Sequence, residues 1–129
     1  MRTAPARLLL ALVALTFAAC GTASSGGAST ASSSPMAVPS GAVVIKVVAD
    51  STTIGAFDPK DTTAKVGQAV AWEFDDQNNP HTVTADDGSF DSGTQNAGFV
   101  FVHVFTKPGT YTYHCGLHTG MVAKVTVTQ

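Results

Sequence analysis

An all-β sandwich is the fold this sequence predicts, on three observations. Short stretches alternate apolar and polar residues with a period of two, which turns one face of a strand toward a core. Turn formers separate them at Asp58-Pro59, Val66-Gly67, Asn78-Asn79-Pro80, Asp87-Gly88, Ser92-Gly93 and Pro108-Gly109. No stretch after Gly41 carries a helical period, and there is no internal repeat. Many short strands with regular turns read as an antiparallel β-sandwich.

The first segment is not part of that sandwich. Arg2 and Arg7, the only arginines, precede an apolar run from residue 8 to residue 19. A basic start, an apolar run and then small residues read as a secretory signal over residues 1–19. The run is short of the ~20 apolar residues that span a bilayer. Ala18-Ala19 stand directly before Cys20, an arrangement that resembles a bacterial lipobox, with Phe17 where leucine is usual. Cys20 is therefore expected to carry lipid after cleavage. An ordinary signal peptide, with Cys20 incidental, is the alternative.

Residues 20–40 then supply the lipidated cysteine and a linker of Gly, Ser, Ala and Thr with two prolines. So little apolar surface cannot offset chain entropy, and a flexible tether is expected. By coil scaling its mean reach is about 25 Å.

From Gly41 the composition turns to Val, Phe and Thr, and residues 41–129 suit one small domain. "AVVIKVVA" (42–49) is β-branched and of strand length. "AVAWEF" (69–74) sets Val70, Trp72 and Phe74 on one face. "HTVTA" (81–85) pairs His81 with Val83. "FVFVHVF" (99–105) puts His103 on a face with Phe99, Phe101 and Phe105. "TYTYHC" (110–115) groups Tyr111, Tyr113 and Cys115 opposite Thr112 and His114. "MVAKVTV" (121–127) aligns Met121, Ala123, Val125 and Val127. Trp72 and the phenylalanines are expected in the core.

All nine acidic residues lie in this domain against five lysines, which leaves it near −4. That balance excludes nucleic acid and a polybasic membrane contact. Asp75, Asp76, Asp86 and Asp87 flank the His81 strand and read as solvated surface or as an acidic docking patch for a basic redox partner.

The chemistry concentrates in "YHCGLHTGM" (113–121). With Cys20 lipidated, Cys115 is a lone cysteine in an exported domain, which calls for an explanation. It can be a small buried residue, a thiol nucleophile with a histidine base, or a metal ligand. Its company favours the ligand: His118 follows three residues on, and Met121 three after that. Short spacings across a loop let such side chains converge. His81, at a loop-to-strand junction, is the best candidate for a fourth donor. One thiolate, two imidazoles and a thioether form the donor set of a blue-copper site, soft enough for Cu(I) and nitrogen-rich enough for Cu(II). By their strand positions, His114 is expected at the surface and His103 in the interior or at a sheet edge, neither as a ligand.

The sequence is similar to the cupredoxins, and among them to amicyanin. The likeness rests on "VGQAVAWEF" (66–74), "PHTV" (80–83), "FDSG" (90–93), "PGTYTYHC" (108–115) and "MVAKVTV" (121–127). Two residues separate His118 from Met121, the amicyanin spacing, where plastocyanins and pseudoazurins have four. The resemblance implies a Greek-key β-sandwich over 41–129 and one type 1 copper ion. His81, Cys115 and His118 would be its equatorial ligands and Met121 its axial ligand. Two departures stand out. Leu117 and Thr119 replace prolines, so the Leu117 N–H is free to donate toward the thiolate. Thr82 replaces an asparagine that braces the ligand loop, which puts that brace in question.

The function implied is shuttling of single electrons at the outer face of the cytoplasmic membrane, as a lipid-anchored monomer without catalytic residues. A donor and an acceptor protein are expected as partners, of the cytochrome c or membrane oxidase kind. Copper capture and delivery without redox turnover is the alternative. A copper oxidase or reductase would need a further copper with open coordination and several more histidines.

Overall fold

The computed structural model describes residues 37–129. The expected signal segment, Cys20 and the linker up to residue 36 lie outside them. Eight strands follow in order: β1 Val43–Asp50, β2 Ile54–Asp58, β3 Asp61–Lys65, β4 Ala69–Phe74, β5 Thr84–Ala85, β6 Val100–Val104, β7 Gly109–His114 and β8 Val122–Thr128. Among the described residues there is no helix, and the fold is all-β.

The strands form two four-stranded sheets, β2-β1-β4-β6 and β3-β8-β7-β5. The sheets are mixed rather than antiparallel throughout. β1 runs parallel to β4 and β3 parallel to β8, while the other neighbours are antiparallel. Parallel neighbours need a crossover, so each sheet takes strands from distant parts of the chain.

Alternation fixes what faces inward. Ile45 and Val47 of β1, Val70, Trp72 and Phe74 of β4, Tyr113 of β7, and Ala123, Val125 and Val127 of β8 are all buried. Each large apolar side chain removed from water in this way contributes about 1.5–3 kcal/mol. Trp72 meets Tyr113 edge to face at 5.5 Å between centroids. Phe90, from the loop after β5, packs on Trp72, Phe101, Phe105 and Tyr113. His103 sits on edge strand β6 between the rings of Phe90 and Phe105, at 4.9 and 4.8 Å. That is the interior-edge position its parity predicts.

Two strands are absent from the sequence reading. β2 and β3 turn Gly55, Phe57, Thr62 and Ala64 inward, and three of these are too small or polar to register as a hydrophobic face. The strand expected over 81–85 shrinks to Thr84–Ala85. His81 instead makes an isolated bridge with Gln95, and the Val83 carbonyl accepts from Ser92 N–H at 3.0 Å.

The β1–β2 hairpin closes on three residues. The Asp50 carboxylate accepts from the N–H groups of Thr52 and Thr53, and Ile54 takes a left-handed φ of 68°. A β-branched residue rarely does so. The hairpin reaches the 115–121 loop: a Cβ on Gly120 would lie 3.3 Å from Thr53 Cγ2.

Candidate metal centre

His81 is placed by the turn before it. Asp76 Oδ1 accepts from the N–H groups of Asn78 and Asn79, at 2.9 and 3.3 Å, which folds the chain after β4. Its other oxygen accepts from Asn79 Nδ2 at 3.1 Å and from His81 Nε2 at 2.9 Å. The backbone of His81 is then tied to Gln95 by two hydrogen bonds of 3.0 and 2.9 Å.

Both side chains of the Asp76–His81 pair are buried, at 0% and 1% exposure. The hydrogen bond from His81, then that from Asn78 N–H, hold the Asp76 carboxyl well below the usual carboxylate range, against the opposing effect of burial. A carboxylate only accepts, so the proton of this bond sits on His81 Nε2. The lone pair of a neutral His81 is thereby left on Nδ1. Asp76 is thus not surface, as its neighbours Asp75, Asp86 and Asp87 led one to expect. It is a buried partner of the histidine.

Cys115 follows β7 and keeps its inward parity at 4% exposure. Its Sγ accepts from Thr82 N–H at 3.3 Å. This, and not the Leu117 N–H, is the backbone donor at the sulfur. The next residues turn back on themselves. Met121 N–H donates to the His118 carbonyl at 3.3 Å, Cys115 N–H donates to the Met121 carbonyl at 3.0 Å, and Gly120 supplies a φ of 88°. Thr82 supplies the brace its identity had put in question: its hydroxyl accepts from Gly116 N–H at 2.7 Å.

Three donor atoms converge. His81 Nδ1 and His118 Nδ1 are 3.0 Å apart, and they lie 3.8 and 3.6 Å from Cys115 Sγ. A point equidistant from corners separated by 3.0, 3.6 and 3.8 Å lies about 2.0 Å from each, which is an ordinary metal–imidazole bond length. Electron-pair donors this close repel one another unless a proton or a metal cation lies between them, and a cysteine sulfur among them suits a soft metal. Met121, at 2% exposure, lines the pocket formed by the loop from His114 to Val122.

Sequence reasoning thus names three residues that the fold brings together, and a methionine at the same loop. It misses Asp76, for which the signal was an Asx-turn pattern ahead of the histidine, D-x-N-N-P-H. It also misses Gly55 of β2. A Cβ there would overlap Cε1 of His81 and lie 2.9 Å from its Nδ1, so the ring rests directly on the glycine backbone. His114 pairs with Asp86, at 2.6 Å, and does not join the three converging donors, as expected.

A β-sandwich with this donor set at one end is a cupredoxin, and the cofactor of that class is copper. The chain belongs to the copper-binding plastocyanin/azurin family, whose model matches residues 43–128. Chloroplastic plastocyanin of Hordeum vulgare is 30% identical over 118 residues, covering 75% of this chain and 76% of that protein. A purple cupredoxin from Nitrosopumilus maritimus superposes with a TM-score of 0.60 at 33% identity, over 67% of this chain and 99% of that one. An amicyanin variant in its reduced state also gives 0.60, at 25% identity, over 70% and 86%.

Proposed function

We propose that the protein is a type 1 copper carrier of single electrons, in which His81, Cys115 and His118 would hold the ion and Met121 would add a weaker thioether donor. The observation that carries this reading is the convergence of the two Nδ1 atoms and Sγ. When bound, copper supplies the Cu(II)/Cu(I) couple. The chain holds the donors. Asp76 fixes the tautomer of His81, Gly55 seats its ring, and Thr82 spans the sulfur and the loop. His81, Cys115 and Met121 are buried and exclude water, while His118 is part-exposed and offers the way in for an electron. Leu117, 48% exposed, and the small residues Gly116, Thr119 and Gly120 leave a low-relief apolar surface around it for a partner.

In this reading Cys20 carries the lipid, and the linker keeps the domain at the outer face of the cytoplasmic membrane. There it serves a donor and an acceptor of the cytochrome c or membrane oxidase kind. The domain acts as a monomer and not as an enzyme.

Titration of the purified protein with Cu(II), followed by visible and electron-paramagnetic spectra, tests the site. An intense blue or purple band with narrow copper hyperfine splitting is expected, and Cys115→Ser should lose it. A weak d–d spectrum from the wild type would reject the ligand set. Fast electron self-exchange supports shuttling. Transfer of the ion to a metal-free acceptor faster than self-exchange supports copper delivery instead.

A further inference from the structure

Thr82 grips the ligand loop at two consecutive residues. Its N–H meets Cys115 Sγ at 3.3 Å, and its hydroxyl oxygen takes the Gly116 N–H at 2.7 Å. At 8% exposure its side chain is shielded from competing water. The contact does not end there. Thr82 Oγ1 lies 3.0 Å from Thr84 Oγ1, and Thr84 Oγ1 donates to Asp91 Oδ1 at 3.3 Å. The backbones of Thr84 and Asp91 form an isolated bridge, and Asp91 Oδ1 also accepts from Gly93 N–H at 2.8 Å, so the carboxylate is itself held in place.

The two ends of this chain set the direction of every proton in it. A backbone N–H only donates, and a carboxylate only accepts. Thr84 therefore spends its proton on Asp91, and Thr82 spends its proton on Thr84. What remains to Thr82 is lone pairs, aimed at Gly116. A free hydroxyl rotates to suit any neighbour; this one is committed to accepting. Bonds aligned head to tail also polarise one another in the same sense.

We propose that Thr84 and Asp91 are positioning residues of the copper loop. They lock the Thr82 hydroxyl as an acceptor, and through it they hold the Cys115–Gly116 peptide so that the sulfur stays on the Thr82 N–H. Asp91 is exposed and makes no contact with the three converging donors. It acts through two hydroxyl groups. The inference rests on the copper-site reading only for its effect on the sulfur; the hydrogen-bond chain stands without it.

Amide exchange at Gly116 in the copper-free protein, read by NMR, tests the chain. Visible spectra and voltammetry of the copper-loaded protein test its reach to the sulfur. Thr84→Val and Asp91→Ala should each speed Gly116 exchange about tenfold while β1 and β4 keep their protection. Asp91→Asn and Thr84→Ser, which retain the needed atoms, should stay near wild type. In the first two variants the charge-transfer band should move and the potential fall, because the sulfur loses a donor. Unchanged Gly116 exchange in both Thr84→Val and Asp91→Ala overturns the proposal. Faster exchange with an unmoved band and potential also overturns it, since the chain would then stop short of the sulfur. A wild type that takes copper without an intense band rejects the electron-carrier reading, while the exchange data still judge the chain.

Discussion

His81 Nε2 donates to Asp76 Oδ2 at 2.9 Å, with neither side chain reaching water. One carboxylate thereby builds the turn, orients the imidazole and places a buried negative charge one ring away from the donor atoms. Outer partners of this kind typically matter about 10–100-fold to metal affinity. Asp76→Asn keeps an acceptor but removes the charge. Cu(II) then loses more stabilisation than Cu(I), so the reduction potential should rise and Cu(II) affinity should fall. Asp76→Ala also strands a buried N–H, at a cost of about 1–3 kcal/mol of folding stability. Voltammetry with chelator competition checks the first variant, and urea unfolding the second. A lower potential in Asp76→Asn would contradict this assignment.

Gly55 has no left-handed φ, so alanine there meets no backbone penalty. Its methyl group meets the His81 ring instead. Gly55→Ala should push the ring off its seat, cost about 1–3 kcal/mol as an overpacked core does, and weaken copper binding. Thermal unfolding with and without copper separates the two effects. The increment of stability that copper confers should shrink in the variant.

Leu117 stands 48% exposed in the loop that carries His118. In self-exchange two copies meet through the same surface, so a charge placed there faces its own image. Leu117→Lys should slow self-exchange by at least tenfold at low salt, with part of the loss recovered at high salt. The visible spectrum should not change. Rates measured by NMR line broadening at two ionic strengths test this.

Burial pushes the His103 imidazole below its ordinary value, and the nearby Asp87 opposes that only in part. Above its ordinary value of 6.5 the ring is neutral in both states and contributes nothing to pH dependence. As pH falls below 6.5 the unfolded chain gains the proton first, and folding stability drops until the folded ring protonates in turn. His103→Phe, between Phe90 and Phe105, should flatten that part of the stability curve. Unfolding of the copper-free protein between pH 7 and pH 5 reads the difference, and an identical slope would contradict it.

Where side-chain size follows strand parity, the sequence was legible. Trp72, Tyr113, Cys115, Val125 and Val127 face inward as their alternation predicts. The donors also announced themselves, because Cys115, His118 and Met121 share one loop. Strands β2 and β3 did not, since small inward residues such as Gly55, Thr62 and Ala64 leave no hydrophobic stripe. The parallel pairs were hidden for another reason: a strand's residues do not name its neighbour. Asp76 looked like solvent-facing charge because its partner lies beyond a turn, and the value of the pair appears only once both groups are buried. Thr82 looked like the loss of a brace, yet its hydroxyl, aimed by Thr84, does the bracing.

Strand β3 lies at an edge, and β8 alone among the strands zips to it in parallel, from Asp61 against Lys124 to Lys65 against Thr128. Nothing upstream can substitute for that neighbour. A ribosome delivering the chain from its N-terminus would therefore present β3 long before its mate existed. The second sheet therefore joins β3 to the β7–β5 pair only once β8 arrives. Contacts so distant in sequence slow folding, and they leave an unfinished chain with its first sheet complete and β3 without a neighbour. Clipping the final strand would undo the sheet and the ligand loop together.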